Sequence, residues 1–361
     1  MRVLTGIDLP YGSPGGSMEL VRDIYLGPDS PLPADVFMLP PEHDGEPDAS
    51  GLPALLPVTG KSVSGEEFWS YVDRLTTQVL TRFSAVDYEV IHCQHLTFGA
   101  TPSLMRAFPA QSKIALVHGT DLLYAEENPT QAEVLRQTVA AAAAVVVPTR
   151  AMESRLRRIS PVSPRHVRHI PWGVPDELLR RRPSPPERRH GTLRVLYAGR
   201  LSAEKITSDV VETIAGLAGV TLSVAAPVAE YARLADRTDM SRVRYLGWLS
   251  REQLWREFRQ HDALIVPSLK LEAFGLVVIE AQACALPVLY QPVPGLAEVM
   301  GDSGIPVDFG KPRELATLLA RVSRSRTALD DIRSAGLTNC ARFPLSRTVA
   351  ELAGLSATVA R

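Results

Sequence analysis

Two glutamates, Glu272 and Glu280, stand out in a stretch that otherwise carries no charge, LEAFGLVVIEAQACALPVL. The helix predicted there presents Leu276, Val277, Val278, Ile279, Ala281 and Ala283, so most of its faces are buried. An ionised Glu280 in such a helix is costly unless something satisfies it. Two hydroxyls of a ribose suit it, because two O–H donors match one acceptor carboxylate. The free N–H groups at the helix start, around Phe274, Gly275 and Leu276, suit a phosphate or sugar oxygen. Glu272, just ahead of them, is placed to meet a sugar. A second cluster is LRVLYAGRLSAEKI, where a strand ends at Gly199 and Arg200 and Lys205 follow in a polar loop. Two cations after a strand end neutralise a diphosphate and stabilise it as it leaves. After the first strand, PYGSPGGSMEL offers Gly15 and Gly16, which let the backbone approach a ligand, and Ser17 as a helix N-cap. His118 ends the strand of KIALVHGTD and is followed by a glycine that frees its imidazole to face a ligand.

These residues must be held by elements, and the sequence supplies them twice over. The first half predicts strands at MRVLTGI, ADVFML, YEVIHC, KIALVHG, AAVVVPT and HVRHIPW, with helices near SMELVRDIYL, GEEFWSYVDRLTTQVLTRF and PTQAEVLRQTVAAA. The second half predicts strands at LRVLYAG, TLSVAA, RVRYLGW, ALIVPS, LPVLYQ and IPVDF, with helices at SREQLWREFRQH and FGLVVIEAQACA. Continuous Val/Ile/Leu runs alternating with helices predict parallel sheets covered on both faces. Between the halves, PDELLRRRPSPPERRHG is rich in proline and arginine and reads as a linker, with Arg180 to Arg182 solvated. The expected organisation is a first domain over 1–172, a linker over 173–191, a second domain over 192–342 and a final helix over 343–361 that packs back on the first domain. The expected fold class is α/β: two Rossmann-like doubly wound domains facing across a cleft, with ligands in the loops after the strands.

Bulk properties remove other classes. The chain has 361 residues, 45% hydrophobic and 22% charged, and a formal charge of −1. That charge gives no field for drawing in nucleic acid or an anionic membrane. The longest apolar run, Val139 to Val147, is too short to span a bilayer, and the N-terminus reads as a strand rather than a signal peptide. A cytoplasmic location is expected, with Cys93, Cys284 and Cys340 as buried free thiols. His92 and His95 flank Cys93 without a carboxylate or second cysteine, which argues against zinc. No D-x-D occurs, so no carboxylate-bound metal is indicated, and no cofactor is expected.

The Glu272–Glu280 segment resembles the E-x7-E motif of the family-4 retaining glycosyltransferases, glycosyl transferases group 1, which have the two-Rossmann-domain GT-B fold. EAFGLVVIEAQACALPVL follows the family's pattern, and LRVLYAGRLSAEKI looks like its G-R-L-x-x-E-K-G, with Ile206 where a glycine is usual. By that resemblance Glu272 contacts donor-sugar hydroxyls, Glu280 holds the ribose, and Arg200 and Lys205 clamp the phosphates. Gly15 and Gly16 lie where the family has a glycine-rich loop facing the donor phosphates and the acceptor. His118 corresponds to a histidine that contacts the donor sugar or the acceptor, with His92 and His95 lining the acceptor side. PVPGLAEVM, with Glu298, resembles a stretch that closes the nucleotide pocket. Departures fall at Ala225 and Ala226, where G-x-G-P is usual, and at Ala285, a common glycine. The resemblance implies a metal-independent transferase that takes a nucleotide-sugar donor, UDP-sugar favoured and GDP-sugar next. The expected acceptor is a small soluble molecule such as a natural-product intermediate. An epimerase or pseudo-glycosyltransferase of the same fold, and an inactive nucleotide-sugar-binding partner, are the alternatives.

Overall fold

The structure is a computed structural model that describes residues 1–26, 30, 32–41, 53–161, 163, 166–181, 192–324 and 327–360. Arg182 and the rest of the linker reading up to residue 191 lie outside the described residues. The chain forms two compact units: Met1–Trp172 with Leu345–Arg361, and Gly173–Pro344.

In unit 1 the strands are β1 (Val3–Pro10), β2 (Ala34–Leu39), β3 (Ala54–Leu55), β4 (Val90–Gln94), β5 (Ser112–Leu116), β6 (Ala144–Val147) and β7 (Val167–His169). The helices between them are α1 (Gly16–Tyr25), α2 (Gly65–Arg82), α3 (Ala100–Ala107), α4 (Thr120–Glu127), α5 (Pro129–Ala141) and α6 (Arg150–Ile159). The strands pair in parallel in the order β3-β2-β1-β4-β5-β6-β7. The order reverses at β1, where Val3 pairs with Ala34 on one side and Val90 on the other. Every residue of β4 and β6 is buried, as a sheet with helices on both faces requires.

Unit 2 opens with α7 (Asp176–Arg180), so the first part of the segment read as linker is structured. Leu178 is buried, and Arg181 lies 5.8 Å from the Trp255 ring. There follow β8 (Leu193–Ala198), α8 (Ser208–Ala215), β9 (Val220–Ala225), α9 (Val228–Ala235), β10 (Val243–Gly247), α10 (Arg251–Phe258) and β11 (Ala263–Val266). The unit closes with α11 (Leu276–Ala283), β12 (Val288–Tyr290), α12 (Pro294–Met300), β13 (Ile305–Pro306), α13 (Pro312–Arg324) and α14 (Thr327–Cys340). Its sheet is parallel in the order β10-β9-β8-β11-β12-β13 and reverses between β8 and β11.

The last helix, α15 (Leu345–Val359), belongs to unit 1. Thr348 donates to the Pro171 carbonyl at 2.8 Å, and Ser112 donates to that of Val359 at 2.6 Å. Inside, His92 Nε2 meets the Ser356 hydroxyl and His92 Nδ1 meets the Tyr25 hydroxyl, both at 2.8 Å. His92 is fully buried, and burial pushes its imidazole down to about 3. It therefore fastens α15 to the sheet instead of lining a ligand site. The three cysteines are buried free thiols.

Candidate active site

Glu280 lies in α11 with both oxygens occupied. Oε1 accepts from Arg251 Nε at 2.8 Å and lies 2.6 Å from a second guanidinium nitrogen; Oε2 accepts from Trp255 Nε1 at 3.1 Å. Both donors come from α10, where a capping box of Ser250 and Gln253 starts the helix and the i, i+4 spacing puts Arg251 and Trp255 on one face. The Arg251 and Glu280 side chains are 7% and 6% exposed. The demand that the sequence assigned to ribose hydroxyls is thus already met within the fold. Arg251 and Trp255 were missed; their signal was an arginine and an indole one helical turn apart in SREQLWREF.

Lys205 and Glu272 come from the loops on either side of the strand reversal, after β8 and β11. Lys205 Nζ lies 2.6 Å from Glu272 Oε2, and the Ser268 hydroxyl lies 3.3 Å from the same oxygen. The Leu269 amide bonds the Glu204 carbonyl at 2.9 Å and ties the two loops together. The two residues that the sequence set at phosphate and sugar are therefore partners, each about a quarter exposed. Arg200, in the same loop, is half-buried and fixed through its carbonyl, which accepts from the Tyr197 hydroxyl. Among the described residues its side chain makes no hydrogen bond or ion pair.

Gly275 holds the start of α11 at φ 82°, a left-handed conformation that favours glycine. The amides of the first turn follow. Leu276 is the first helical residue and is half-buried. The Phe274 side chain is 2% exposed and packs edge-on to Phe343 at 5.2 Å, so only its backbone is available to a ligand. A Cβ at Gly295 would stand 2.2 Å from the Glu272 carbonyl oxygen, so α12 seats against this loop only because Gly295 has no side chain. Glu298 sits on the exposed face of α12.

The departures from the family pattern have structural reasons. Ala226 is fully buried in the core, donates to the Gly247 carbonyl at 3.0 Å and accepts from the Tyr245 hydroxyl at 2.9 Å. Its methyl therefore points into packing. Ala285 ends α11 at φ 60°, with Ala285 N–H bonding the Gln282 carbonyl and Leu286 N–H bonding that of Ala281, each at 2.9 Å. This is a Schellman cap with alanine at the left-handed position that glycine usually fills.

In unit 1, Gly15 is the N-cap of α1 at φ 144°, with open space around it, and Gly16 is the first helical residue. Ser17, expected as the cap, is one residue further in. His118 follows β5; its Nε2 lies 3.0 Å from Gln94 Oε1, and its ring stacks on Trp172 at 5.7 Å and 21°. Its backbone N–H faces Asp121, whose buried carboxylate also accepts from the amides of Leu96, Gly119 and Leu122 and starts α4. Burial pushes the Asp121 carboxyl up to about 6 and the His118 imidazole well below its ordinary value; His95, 4.6 Å away, adds to the latter.

The segment after β4 is strained. His95 and Phe98 adopt φ of 75° and 65°, conformations that cost roughly 1–3 kcal/mol each outside glycine. His95 Nδ1 and Thr97 Oγ1 are buried without a hydrogen-bond partner among the described residues, and burial holds the His95 imidazole down at about 3. Strain and polar atoms without a partner among the described residues thus gather in one loop beside His118. Among the described residues, no group of three or more His, Cys, Asp or Glu is placed to hold a metal ion, and no helix is long and apolar enough to cross a membrane.

Two parallel sheets, each with polar groups gathered at its strand reversal, define the class of doubly wound α/β proteins. Residues 33–178 match the family model Glycosyltransferase Family 4, and residues 192–325 match Glycosyl transferases group 1. The chain belongs to this family of glycosyltransferases. It is 33% identical over 153 residues to a glycogen synthase of Mycobacterium tuberculosis, across 40% of this chain and 35% of that one. The match thus spans about a third of that relative's length. The fold is that of sucrose-phosphate synthase from Thermosynechococcus elongatus, with a TM-score of 0.82, 20% identity, and 99% and 98% of the two chains covered. Anabaena HepE in complex with UDP-glucose matches with a TM-score of 0.76 and 18% identity, covering 99% and 100%.

Proposed function

We propose that the chain transfers a sugar, with retention of configuration and without a metal, from a nucleotide diphosphate-sugar to a hydroxyl of a small molecule. UDP-sugar is the favoured donor and GDP-sugar the next. The observation that carries this reading is the Lys205–Glu272 pair at the strand reversal of unit 2, beside the amides of α11 and near the half-buried Arg200. Such a pair can be exchanged: a donor's phosphate takes Lys205, while its sugar hydroxyls take Glu272. The family membership and a fold neighbour that holds UDP-glucose support the same donor class.

Arg200, Lys205 and the amides near Gly275 supply the positive charge that offsets the diphosphate. Phe274 and Leu276 contribute backbone there; in unit 1, Gly15 and Gly16 leave room for a close approach of a ligand to the backbone. Glu280, fixed by Arg251 and Trp255, offers its remaining lone pairs to the ribose. The bond from the anomeric carbon to the phosphate oxygen breaks through an oxocarbenium-like state. The acceptor oxygen bonds to the same face, and its proton goes to the departing phosphate. In unit 1, His118, held neutral by burial, contacts the donor sugar or the acceptor.

The test is thermal stability of the purified protein against UDP, GDP, ADP and dTDP in EDTA, then against their sugar derivatives. A ligand at a hundredfold excess over its Kd adds about 2.7 kcal/mol, a shift of a few degrees. A rise with one nucleotide names the donor class. No rise with any of them, or a product of inverted anomeric configuration, defeats the reading.

A further inference from the structure

The peptide between Arg200 and Leu201 is anchored at both of its polar groups. Its carbonyl, that of Arg200, accepts from the Tyr197 hydroxyl, and its N–H, that of Leu201, donates to Glu230 Oε2 at 2.6 Å. Tyr197 is 4% exposed. Burial, and then the Glu230 and Glu272 carboxylates, push its phenol up, so the proton stays on the oxygen to be donated. The second bond is charge-assisted, because its acceptor is a carboxylate. Just before Arg200, the Gly199 N–H donates to the Ala225 carbonyl at 3.0 Å; just after it, the Leu201 side chain packs on the core of unit 2. Arg200 therefore sits between held points on either side.

The support behind Glu230 is fixed as well. Glu230 lies in the first turn of α9. Ahead of that turn, the Ala226 N–H bonds the Gly247 carbonyl at 3.0 Å and the Ala226 carbonyl accepts from the Tyr245 hydroxyl at 2.9 Å. Beside Glu230, Tyr231 stacks on Tyr245 at 3.9 Å and 23°. The Arg200 side chain, by contrast, makes no hydrogen bond or ion pair among the described residues, so its aim depends on the backbone that carries it. A carboxylate next to a phosphate contact repels the anion. Charge therefore does not account for Glu230 at this place, whereas its bond to Leu201 does.

We propose that Glu230 and Tyr197 are positioning residues that hold the 200–201 peptide, so that the Arg200 guanidinium meets the donor's diphosphate already placed. The proposal rests on the reading of Arg200 as a phosphate contact and involves unit 2 alone. Neither residue touches the ligand. An arginine carried on a fixed backbone loses less freedom when it binds, and the difference appears as affinity.

Calorimetry on the full chain, with whichever of UDP, GDP, ADP and dTDP stabilises it most, reads that affinity. Glu230→Gln removes the charge and keeps an oxygen to accept from Leu201, whereas Glu230→Ala removes both, so comparing the two cancels the charge. Glu230→Ala should bind the nucleotide about three- to tenfold more weakly than Glu230→Gln, as expected for one oriented hydrogen bond. Tyr197→Phe, which keeps the ring, should lose a similar factor against the parent. With Arg200→Ala already in place both gaps should close, because a side chain that is absent cannot be misaimed. A merely structural role would leave them open. Equal binding by Glu230→Ala and Glu230→Gln, or gaps of unchanged size beside Arg200→Ala, overturns the positioning role alone. An Arg200→Ala protein that binds as tightly as the parent overturns the phosphate contact on which the role depends. A parent that binds none of the four nucleotides overturns the functional reading itself.

Discussion

At the strand reversal of unit 2 the polar groups are ions in pairs, Lys205 with Glu272 and Arg251 with Glu280, and a half-buried Arg200 lies in the same loop as Lys205. At the reversal of unit 1 neutral groups gather, His95, His118 and Gln94, with two buried polar atoms that have no hydrogen-bond partner among the described residues, beside an ion pair of Lys61 with Asp8 and the amide-bound Asp121 carboxylate. On the proposed function, the same topology serves two kinds of ligand. Charge suits a diphosphate, whereas neutral acceptors and donors suit a hydroxyl, which a buried ion would bind no better and at a higher desolvation cost. Within unit 2 the two carboxylates differ again. Glu280 is almost sealed and multiply bonded, so it acts first as scaffold; Glu272 is partly open and can change partners.

The contrast can be broken most forcefully at the sealed pair. Glu280→Ala leaves the Arg251 cation and the Trp255 N–H without their partner, and should cost about 3–5 kcal/mol of stability as well as weakening nucleotide binding. A urea midpoint close to that of the parent would show that Glu280 is not scaffold. At the open pair the effect moves from stability to rate. Lys205→Ala and Arg200→Ala should each slow turnover by about 10²–10³, roughly 2.7–4 kcal/mol, with small changes in urea midpoint. Glu272→Ala should weaken binding of the sugar donor and leave the bare nucleotide diphosphate nearly as tightly held. If both basic variants keep full activity, the phosphate assignment is wrong.

Unit 1 should instead fail in acid. Unfolded, His92 and His95 each take a proton as the pH falls through 6.5; folded, each stays neutral down to about 3. Their contribution is complete above pH 6.5 and is lost progressively below it, about 2 kcal/mol each at pH 5. Asp121 works the other way, because its carboxyl, raised to about 6, favours the folded state as the pH falls towards 3.8. These three groups together should lose about 2–3 kcal/mol at pH 5, and His118, whose imidazole burial also holds well below its ordinary value, should add to that loss. His92→Gln should remove most of one histidine's share from the pH slope, and an unchanged slope would contradict the role assigned to burial. The smallest effect is expected at Ala285, whose left-handed φ glycine tolerates better. Ala285→Gly should raise stability by about 0.5–1 kcal/mol with no change in rate.

Much of the architecture was legible because it is local. Runs such as ADVFML and AVVV read as buried parallel strands, and each is one. The loop charges could be found because strand ends precede them. Less legible was α7, where only Leu178 of a five-residue helix is buried, which is too short a pattern to read through a row of arginines. The role of His92 was hidden for a different reason: nothing near it in sequence shows that α15 returns to cover it, and its partner Ser356 lies 264 residues away.

The sequence by itself determined which segments become strands and helices, where the strand ends fall, and which charged side chains follow them. Hydrophobic periodicity and turn residues act over a few positions, and that range is enough for those outcomes. Only the tertiary structure decided the partnerships. Arg251 meets Glu280 across 29 residues, Lys205 meets Glu272 across 67, and Gln94 meets Thr5 across 89. The latter two depend on which strands become neighbours. Parallel strands β1 and β4 in unit 1, and β8 and β11 in unit 2, are joined at the reversal by long crossovers, so the groups that meet there are distant in the chain.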